Sequence, residues 1–214
     1  MEPAFFHGLI PYVFTGRENK REKRFSGIYQ RFFYPIIFYA IPFKRKIIMS
    51  GKKIIYFVLA IGICLLAGYI GSYYTEPELA TWYAGLQKPD LTPPSWIFAP
   101  VWTVLFILMG ISLYLIIDAG LKNPEVKVAL VLFLFQLALN VGWSFFFFGR
   151  HSTFYGFLAI VLLWAILLCT IIQVFRISFP AALLLLPALV WITFAAVLNY
   201  LIMTMNPASF GITF

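Results

Sequence analysis

Five long apolar stretches dominate the hydropathy pattern of this chain between residues 54 and 205. They cover residues 54–74, 97–117, 126–148, 154–175 and 181–204. Each is close to the ~20 residues with which an α-helix crosses the hydrocarbon of a bilayer, and Lys127 carries the only formal charge within them. Since an ionised side chain at the bilayer centre costs at least ~2.5 kcal/mol, the pattern predicts an all-α integral membrane protein, a bundle of five transmembrane helices.

Composition agrees with a single membrane domain. The 214 residues are 62% hydrophobic and 11% charged, whereas soluble domains are about 45–50% apolar and about 25% charged. Both cysteines, Cys64 and Cys169, fall within predicted spans, where we expect them to act as small hydrophobic residues rather than to form a disulfide. No His or acidic residue stands near them at ligand spacing, so we predict no metal site.

The distribution of basic residues predicts the orientation in the membrane. A net charge of +8 is by itself compatible with a nucleic-acid ligand. However, the charge is unevenly distributed, since eleven of the sixteen Lys and Arg residues precede the first span. With five spans, the N-terminus shares one side with the second and fourth loops, and that side holds fourteen of the sixteen. The positive-inside rule then places the N-terminus in the cytoplasm and the C-terminus outside, in the cell membrane if the source is a prokaryote. We expect a lipid partner and no nucleic acid.

The chain divides into three parts. Residues 1–48 contain a charge run at 17–24 and an apolar stretch at 32–43 that is too short to span and is interrupted by Pro35 and Pro42. We expect this N-terminal extension to be poorly ordered. Residues 49–206 form the five-helix domain, and residues 207–214 form a short C-terminal tail.

The first loop is rich in proline and tryptophan. Four prolines and three tryptophans lie between Trp82 and Thr103. Proline fixes φ and disfavours helix in the residue before it, so the loop is stiff. We interpret it as a structured lid; the alternative is that its tryptophans form a simple interfacial belt.

The third span carries a polar stripe. Gln136, Asn140 and Ser144 recur every four residues beside Trp143, and amides in hydrocarbon must face other helices or a cavity. Hydrogen bonding between helices, without any ligand, accounts for the stripe equally well.

The opposite face of the third span carries a pair of small residues. Ala138 and Gly142 lie about 200° around the helix from the stripe, and such a pair lets two helices approach closely. It predicts either a dimer interface or packing within the monomer.

Two other spans contribute faces that could line a cavity. In the second span, Trp102 and Phe106 share one face, although lipid-facing filler has the same spacing. The fifth span contains Pro187 and then an aromatic, two small or apolar residues and an amide on one face: Trp191, Ala195, Leu198 and Asn199. Apolar walls with a few orienting polar groups are typical of ligand pockets.

Taken together, these motifs resemble those of the TspO/MBR family, the tryptophan-rich sensory proteins, translocator proteins and peripheral benzodiazepine receptors. The resemblance covers about residues 54–206. The motifs that carry it are Trp82-Tyr83, Leu86-Gln87-Lys88-Pro89, Pro93-Pro94-Ser95-Trp96, Pro100-Val101-Trp102-Thr103, residues 136–144 (QLALNVGWS), Phe147-Phe148-Gly149, Leu186-Pro187, Trp191-Ile192-Thr193-Phe194-Ala195 and Leu198-Asn199-Tyr200.

The resemblance implies a homodimer whose pocket opens toward the first loop and binds porphyrins and other tetrapyrroles. It also implies that Trp102 and Trp191 would act together if the protein degrades porphyrin in light. Departures are Leu91 and Ala188, where the family often has aromatic residues, and the lack of a basic residue after Tyr200, which leaves cholesterol binding unsupported.

We therefore expect a receptor-like or transporter-like protein that binds tetrapyrroles or similar hydrophobic molecules, in transport or sensing, and requires no cofactor. The alternatives are a light-dependent porphyrin-degrading enzyme and a structural or regulatory membrane partner. No acid–base pair or nucleophile–base pair supports other enzyme chemistry. The expected ligand-binding residues are Trp82, Lys88, Trp96, Trp102, Phe106, Gln136, Asn140, Trp143, Trp191, Ala195, Leu198 and Asn199.

Overall fold

Five long helices form the described part of the chain, residues 51–210 of a computed structural model. All five are long and apolar enough to cross a membrane, which confirms the predicted all-α, multi-pass integral membrane fold. The predicted order of residues 1–48 lies outside the described residues, as do residues 211–214 of the tail. The helices are α1 (Gly51–Leu79), α2 (Phe98–Asp118), α3 (Pro124–Ser144), α4 (Thr153–Phe175) and α5 (Leu186–Met205).

Short helical segments connect or extend these helices. A four-residue helix (Trp82–Gly85) and a 3₁₀ turn (Ser95–Ile97) lie in the first loop. A π turn (Phe145–Gly149) continues α3, a short helix (Phe179–Leu183) precedes α5, and a 3₁₀ turn (Pro207–Phe210) follows it.

Local sequence explains where α3 and α4 begin. The Asn123 side chain accepts a hydrogen bond from the Glu125 backbone N–H at 2.9 Å, and Pro124 occupies the first turn, where its missing N–H is tolerated. Ser152 caps α4 in the same way, accepting from the Tyr155 N–H at 3.2 Å. These caps satisfy backbone donors that the helix itself leaves without partners.

Two boundaries differ from the sequence prediction. Helix α1 continues past Tyr74, through Pro77, to Leu79, so the first loop is shorter than predicted. The fifth apolar stretch is not one helix, because it breaks between Leu183 and Leu186. Proline cannot donate to the preceding turn and clashes with it, and Pro187 accordingly stands in the first turn of α5 rather than in its interior.

The helices pack in a defined order around the bundle. Helix α1 packs against α2 and α3, α3 packs against α4, and α4 packs against α5. The crossing of α1 and α2 is tight, since a Cβ placed on Gly110 would lie 2.6 Å from the Ile61 Cα. Large apolar side chains such as Val131 and Val190 point outward from the bundle, as expected where lipid is the solvent.

Contacts at each end confirm that successive helices alternate in direction. At the end that carries the first loop, Gln87 contacts Asn206 and Glu78 contacts His151. At the opposite end, Lys53 pairs with Asp118 at 2.7 Å. The cytoplasmic assignment of that opposite end remains a prediction from the basic residues.

Candidate functional site

A cavity of about 660 Å³ lies between four of the five helices, below the first loop. Its volume falls within the range of about 300–1,000 Å³ that small-molecule sites occupy. Helices α1, α2, α3 and α5 and the first loop line it, whereas no residue of α4 does. The lining includes most of the polar stripe of α3, which therefore faces a cavity and not only neighbouring helices.

Aromatic rings form one side of the cavity. The Trp102 ring stacks on Phe106 with centroids 5.7 Å apart and an interplanar angle of 29°. Trp102 also lies 6.1 Å from Trp143, which stacks on Phe147 at 5.9 Å. These four side chains all line the cavity, and offset rings of this kind offer flat apolar faces to a planar ligand.

The π turn at the end of α3 orients part of this wall. The Arg150 N–H donates to the Phe145 carbonyl at 2.8 Å, five residues earlier, which inserts one extra residue into the helix. As a result Phe147 and Phe148 both face inward while Phe146 is exposed. Such single π turns occur frequently at functional sites.

Small residues of α1 also line the cavity. Ala67, Gly68 and Gly71 belong to the lining, and the two glycines pack closely against side chains of α2 and α3. A Cβ on Gly68 would lie 2.6 Å from the Phe106 ring, and a Cβ on Gly71 would lie 3.2 Å from the Ser144 Oγ. The glycines thus let the rings occupy their positions without narrowing the space between helices.

Two buried amides in the lining differ in their partners. Asn199 accepts from the Trp143 Nε1–H at 3.2 Å and donates to the Thr153 carbonyl at 2.9 Å, so it ties α3, α4 and α5 together. Asn140 is also buried, but its Nδ2 has no hydrogen-bond partner among the described residues. Because a buried unpaired donor costs free energy, Asn140 is the natural group to donate to a ligand oxygen.

The first loop is fixed near its middle by Asn206. The Asn206 Oδ1 accepts from the Gln87 backbone N–H at 2.9 Å, and its Nδ2 donates to the Gln87 carbonyl at 2.8 Å. Next to this clamp, the Lys88 ammonium donates to the Ala84 and Leu86 carbonyls at 3.2 and 3.1 Å. Partial burial lowers the Lys88 pKa. The lysine therefore stabilises the loop rather than reaching into the cavity.

A second contact fixes the near end of the loop. His151 adopts a left-handed backbone conformation, with φ of 51°, and its imidazole stacks on Trp82 at 4.8 Å and 12°. The His151 Nε2 also lies 2.9 Å from the Glu78 carboxylate. Trp82 in turn contacts Phe147 of the cavity wall at 5.4 Å. Below it, Tyr83 is buried, and this burial raises its pKa to about 12.

The structure brings most of the predicted site residues together. Eight of the twelve line the cavity: Trp96, Trp102, Phe106, Asn140, Trp143, Ala195, Leu198 and Asn199. Trp82 and Lys88 lie in the loop above it, and Gln136 is fully buried, with its Nε2 3.8 Å from the Met109 sulfur.

Trp191 lies elsewhere. It lines a separate apolar groove between α2 and α5, with Val101, Leu105 and Phe194 among its neighbours. Its ring reaches the cavity only indirectly, through Phe98, whose centroid lies 6.0 Å away.

The lining also contains residues that the sequence analysis did not identify. From α1 come Gly68, Gly71, Ser72, Thr75 and Glu76, and the loop and π turn add Tyr83, Phe147 and Phe148. One signal for α1 was available: Ala67, Gly68 and Gly71 form a cluster of small residues at helical spacing. Nothing in the local pattern distinguished Glu76 from an ordinary residue near a helix end.

Comparison with known proteins gives a consistent result. The model of the TspO/MBR family matches residues 60–205. The tryptophan-rich protein TspO of Chlorobaculum tepidum is 48% identical over 73% of this chain and 99% of its own length. The protein of the same name from Archaeoglobus fulgidus is 41% identical over 74% and 99%, and the translocator protein of Ovis aries is 41% identical over 67% and 87%.

Proposed function

We propose, from the premise that the chain belongs to the TspO/MBR family, that its cavity binds a planar, largely apolar ligand of the tetrapyrrole class. Family membership supports a membrane protein that works in transport or sensing, and a relative bears the name translocator protein. The proposal concerns which molecule is carried or sensed. We also propose that the protein is a homodimer and that its C-terminus faces outward.

One observation carries this proposal: a connected set of flat rings faces a cavity that also contains a free amide donor. Trp102, Phe106, Trp143 and Phe147 supply the rings, and each good ring–ring contact contributes about 0.5–1.5 kcal/mol beyond burial. The unpartnered Nδ2 of Asn140 supplies the donor. A macrocycle with peripheral oxygen atoms meets both requirements.

The lining favours a ligand held by its faces rather than through a metal. Haem is usually held by His, Cys, Met or Tyr as an axial ligand. The described lining residues include no His, Cys or Met, and His151 pairs with Glu78 outside the cavity. Of the two lining tyrosines, Tyr69 is exposed on α1, and Tyr83 is buried in the loop with its ring against Phe147 and Phe148. A metal-free porphyrin fits this chemistry better than a coordinated haem.

The test is a titration of the purified protein with protoporphyrin, followed by tryptophan fluorescence. We expect saturable quenching in the wild type and an affinity about three- to tenfold weaker in Trp102→Leu and Trp143→Leu, because each loses a stacking face. Trp164→Leu is the matched control: this indole of α4 donates to the Thr193 hydroxyl of α5 at 2.8 Å and does not line the cavity. Linear, unsaturable quenching in the wild type would contradict the proposal.

Light-dependent porphyrin degradation is the second candidate. The observation that favours it is the Trp102 indole at the cavity wall, whose ring centroid lies 6.1 Å from that of Trp143. An indole close to a bound pigment can exchange an electron with the excited pigment. Trp191 contacts the wall residue Phe98 from outside, and a role for it would require transfer through that ring. Illumination of a stoichiometric complex decides the matter: equal rates of porphyrin loss with and without protein would exclude an enzymatic role.

A further inference from the structure

The charge of the cavity lining is the feature that the proposed function does not use. Among the described residues, Glu76 is the one side chain in the lining that is charged at neutral pH. It lies near the end of α1 and is exposed, and the lining residue Trp96 of the first loop is exposed as well. No lysine, arginine or histidine belongs to the described lining. The opening therefore presents a negative charge.

The nearby charged groups are engaged elsewhere. The Lys88 ammonium donates to two loop carbonyls and lies 4.7 Å from the centre of the Tyr83 ring. His151 pairs with Glu78, which also accepts from Thr81 at 2.9 Å. In the described part of the chain, neither Lys88 nor His151 makes a salt bridge with Glu76. The negative charge at the opening is therefore not compensated within the lining.

The rest of the opening is polar but neutral. Ser72 and Thr75 precede Glu76 on α1, and Ser95 and Thr103 face the cavity from the loop and α2. Hydroxyl groups can donate to or accept from a ligand, whereas a carboxylate only accepts when it is ionised. The aromatic walls lie deeper, around Phe106 and Trp143. A planar ligand would thus insert its apolar body, with one edge oxygen toward Asn140 and the rest of its polar edge beside Glu76.

We propose that Glu76 makes this site select planar ligands whose polar edge is neutral or cationic over ligands that carry two carboxylates. The inference rests on the proposed function, and it specifies the ligand class. A protonated amine at the ligand edge would pair with the Glu76 carboxylate, while a pair of propionates would be repelled by it. Because Glu76 is exposed, the effect is that of a surface charge pair and depends on ionic strength.

The experiment compares three probes that share one ring system. They are protoporphyrin with two propionates, its neutral dimethyl ester, and a derivative in which both acids are converted to amides that end in an ammonium group. Each is titrated into the full-length protein in a non-ionic detergent at low and high salt. For the wild type we expect the ammonium derivative to bind most tightly and the dianion least tightly, with the difference reduced at high salt.

The variant Glu76→Gln should change the affinities of the two charged probes in opposite directions. We expect it to weaken binding of the ammonium derivative by about two- to fivefold and to strengthen binding of the dianion similarly, while the ester is unchanged. Asp90→Asn is the matched control, because it removes one negative charge from an exposed residue of the first loop that does not line the cavity. It should not change the order of the three probes.

The outcomes separate this inference from the function on which it rests. If all three probes bind saturably with equal affinity, or if Glu76→Gln shifts none of them, the charge selection is wrong and the macrocycle site stands. A wild type that prefers the dianion would also overturn it. If none of the three probes binds, the cavity is not a macrocycle site, and both proposals fail.

Discussion

The side chain of Asn206 pairs with both backbone polar groups of Gln87, at 2.9 and 2.8 Å. One residue at the end of α5 thus holds a loop 119 positions earlier in the chain. The same Nδ2 donates to the Ile202 carbonyl at 2.7 Å, which fixes the side chain rotamer. The first loop is therefore attached to the helix that supplies Ala195 and Leu198 to the cavity.

Replacing Asn206 with alanine should loosen the first loop. Each hydrogen bond contributes about 0.5–1.5 kcal/mol net, so we expect the loop to open more readily by about 1–3 kcal/mol. Hydrogen exchange measured by mass spectrometry should show faster exchange in residues 82–95. Asn206→Asp keeps only the acceptor and should give an intermediate effect. Thr204→Ala, whose hydroxyl bonds only within α5, should leave exchange in the loop unchanged.

The fold was predictable because each span can be recognised as a membrane segment from its own residues alone. An apolar run such as residues 154–175 has no stable alternative to a helix in lipid, since its backbone groups must bond within the segment. Helix ends were harder to predict from the pattern. Helix α1 continues past Tyr74 and through Pro77, and it ends two residues later at Leu79.

The site was predictable where one helix carried its own signal. Asn140, Trp143 and Ser144 form a stripe that hydrocarbon cannot tolerate, and Ala195 and Leu198 share a face with an amide. Contacts between distant segments were not predictable in this way. Helical spacing placed Trp191 with Ala195, but four residues span about 40° more than one turn, and the ring of Trp191 lies in the groove beside α2 together with Phe194.

The two amides of the lining should respond oppositely to replacement by leucine. Asn199→Leu breaks bonds to Trp143 and Thr153, and we expect it to destabilise the bundle by about 2–4 kcal/mol. Asn140→Leu removes a donor without a partner, so stability should hold or rise while affinity for an oxygen-bearing ligand falls. Thermal unfolding and fluorescence titration measure the two effects. A large loss of stability in Asn140→Leu would contradict this division of roles.

A methyl group on Gly68 should narrow the cavity. The added Cβ would lie 2.6 Å from the Phe106 ring, so this ring, which stacks on Trp102, must move. Overpacking of this kind costs about 1–3 kcal/mol, and we expect Gly68→Ala to weaken binding of protoporphyrin about tenfold or more. Gly62→Ala is the matched control on the same helix, because a Cβ there meets nothing within 4 Å. Equal affinities of the two variants would show that the Gly68 side does not shape the site.

Packing of the loop should weaken at high pH through Tyr83. A free phenol has a pKa near ~10, and burial raises the Tyr83 pKa to about 12. A raised pKa in the folded state means that this stabilisation is complete below pH ~10 and is lost as pH rises toward 12. Burial lowers the pKa of Lys88, which lies above the same ring. The contribution of Lys88 to stability therefore rises with pH, opposite to that of Tyr83.

A comparison of the thermal stability of the wild type and Tyr83→Phe shows the effect of the Tyr83 hydroxyl alone. We expect the thermal midpoint of the wild type to fall more steeply than that of the variant between pH 10 and 12. Below pH 9 the two should run parallel. Parallel curves throughout would mean that the hydroxyl is hydrated and that its burial does not matter.

The small face of α3 points away from the bundle. Ala138 is exposed, and a Cβ on Gly142 would meet nothing within 4 Å, so this pair does not pack within the described part of the monomer. Small residues on an outer helix face allow close approach of a second helix, and we expect a homodimer here. Ala138→Phe should shift the protein toward monomer in light scattering of the detergent complex. Val58→Phe, at an exposed position of α1, is the control. A dimer that survives Ala138→Phe and Gly142→Leu together would place the interface on another helix.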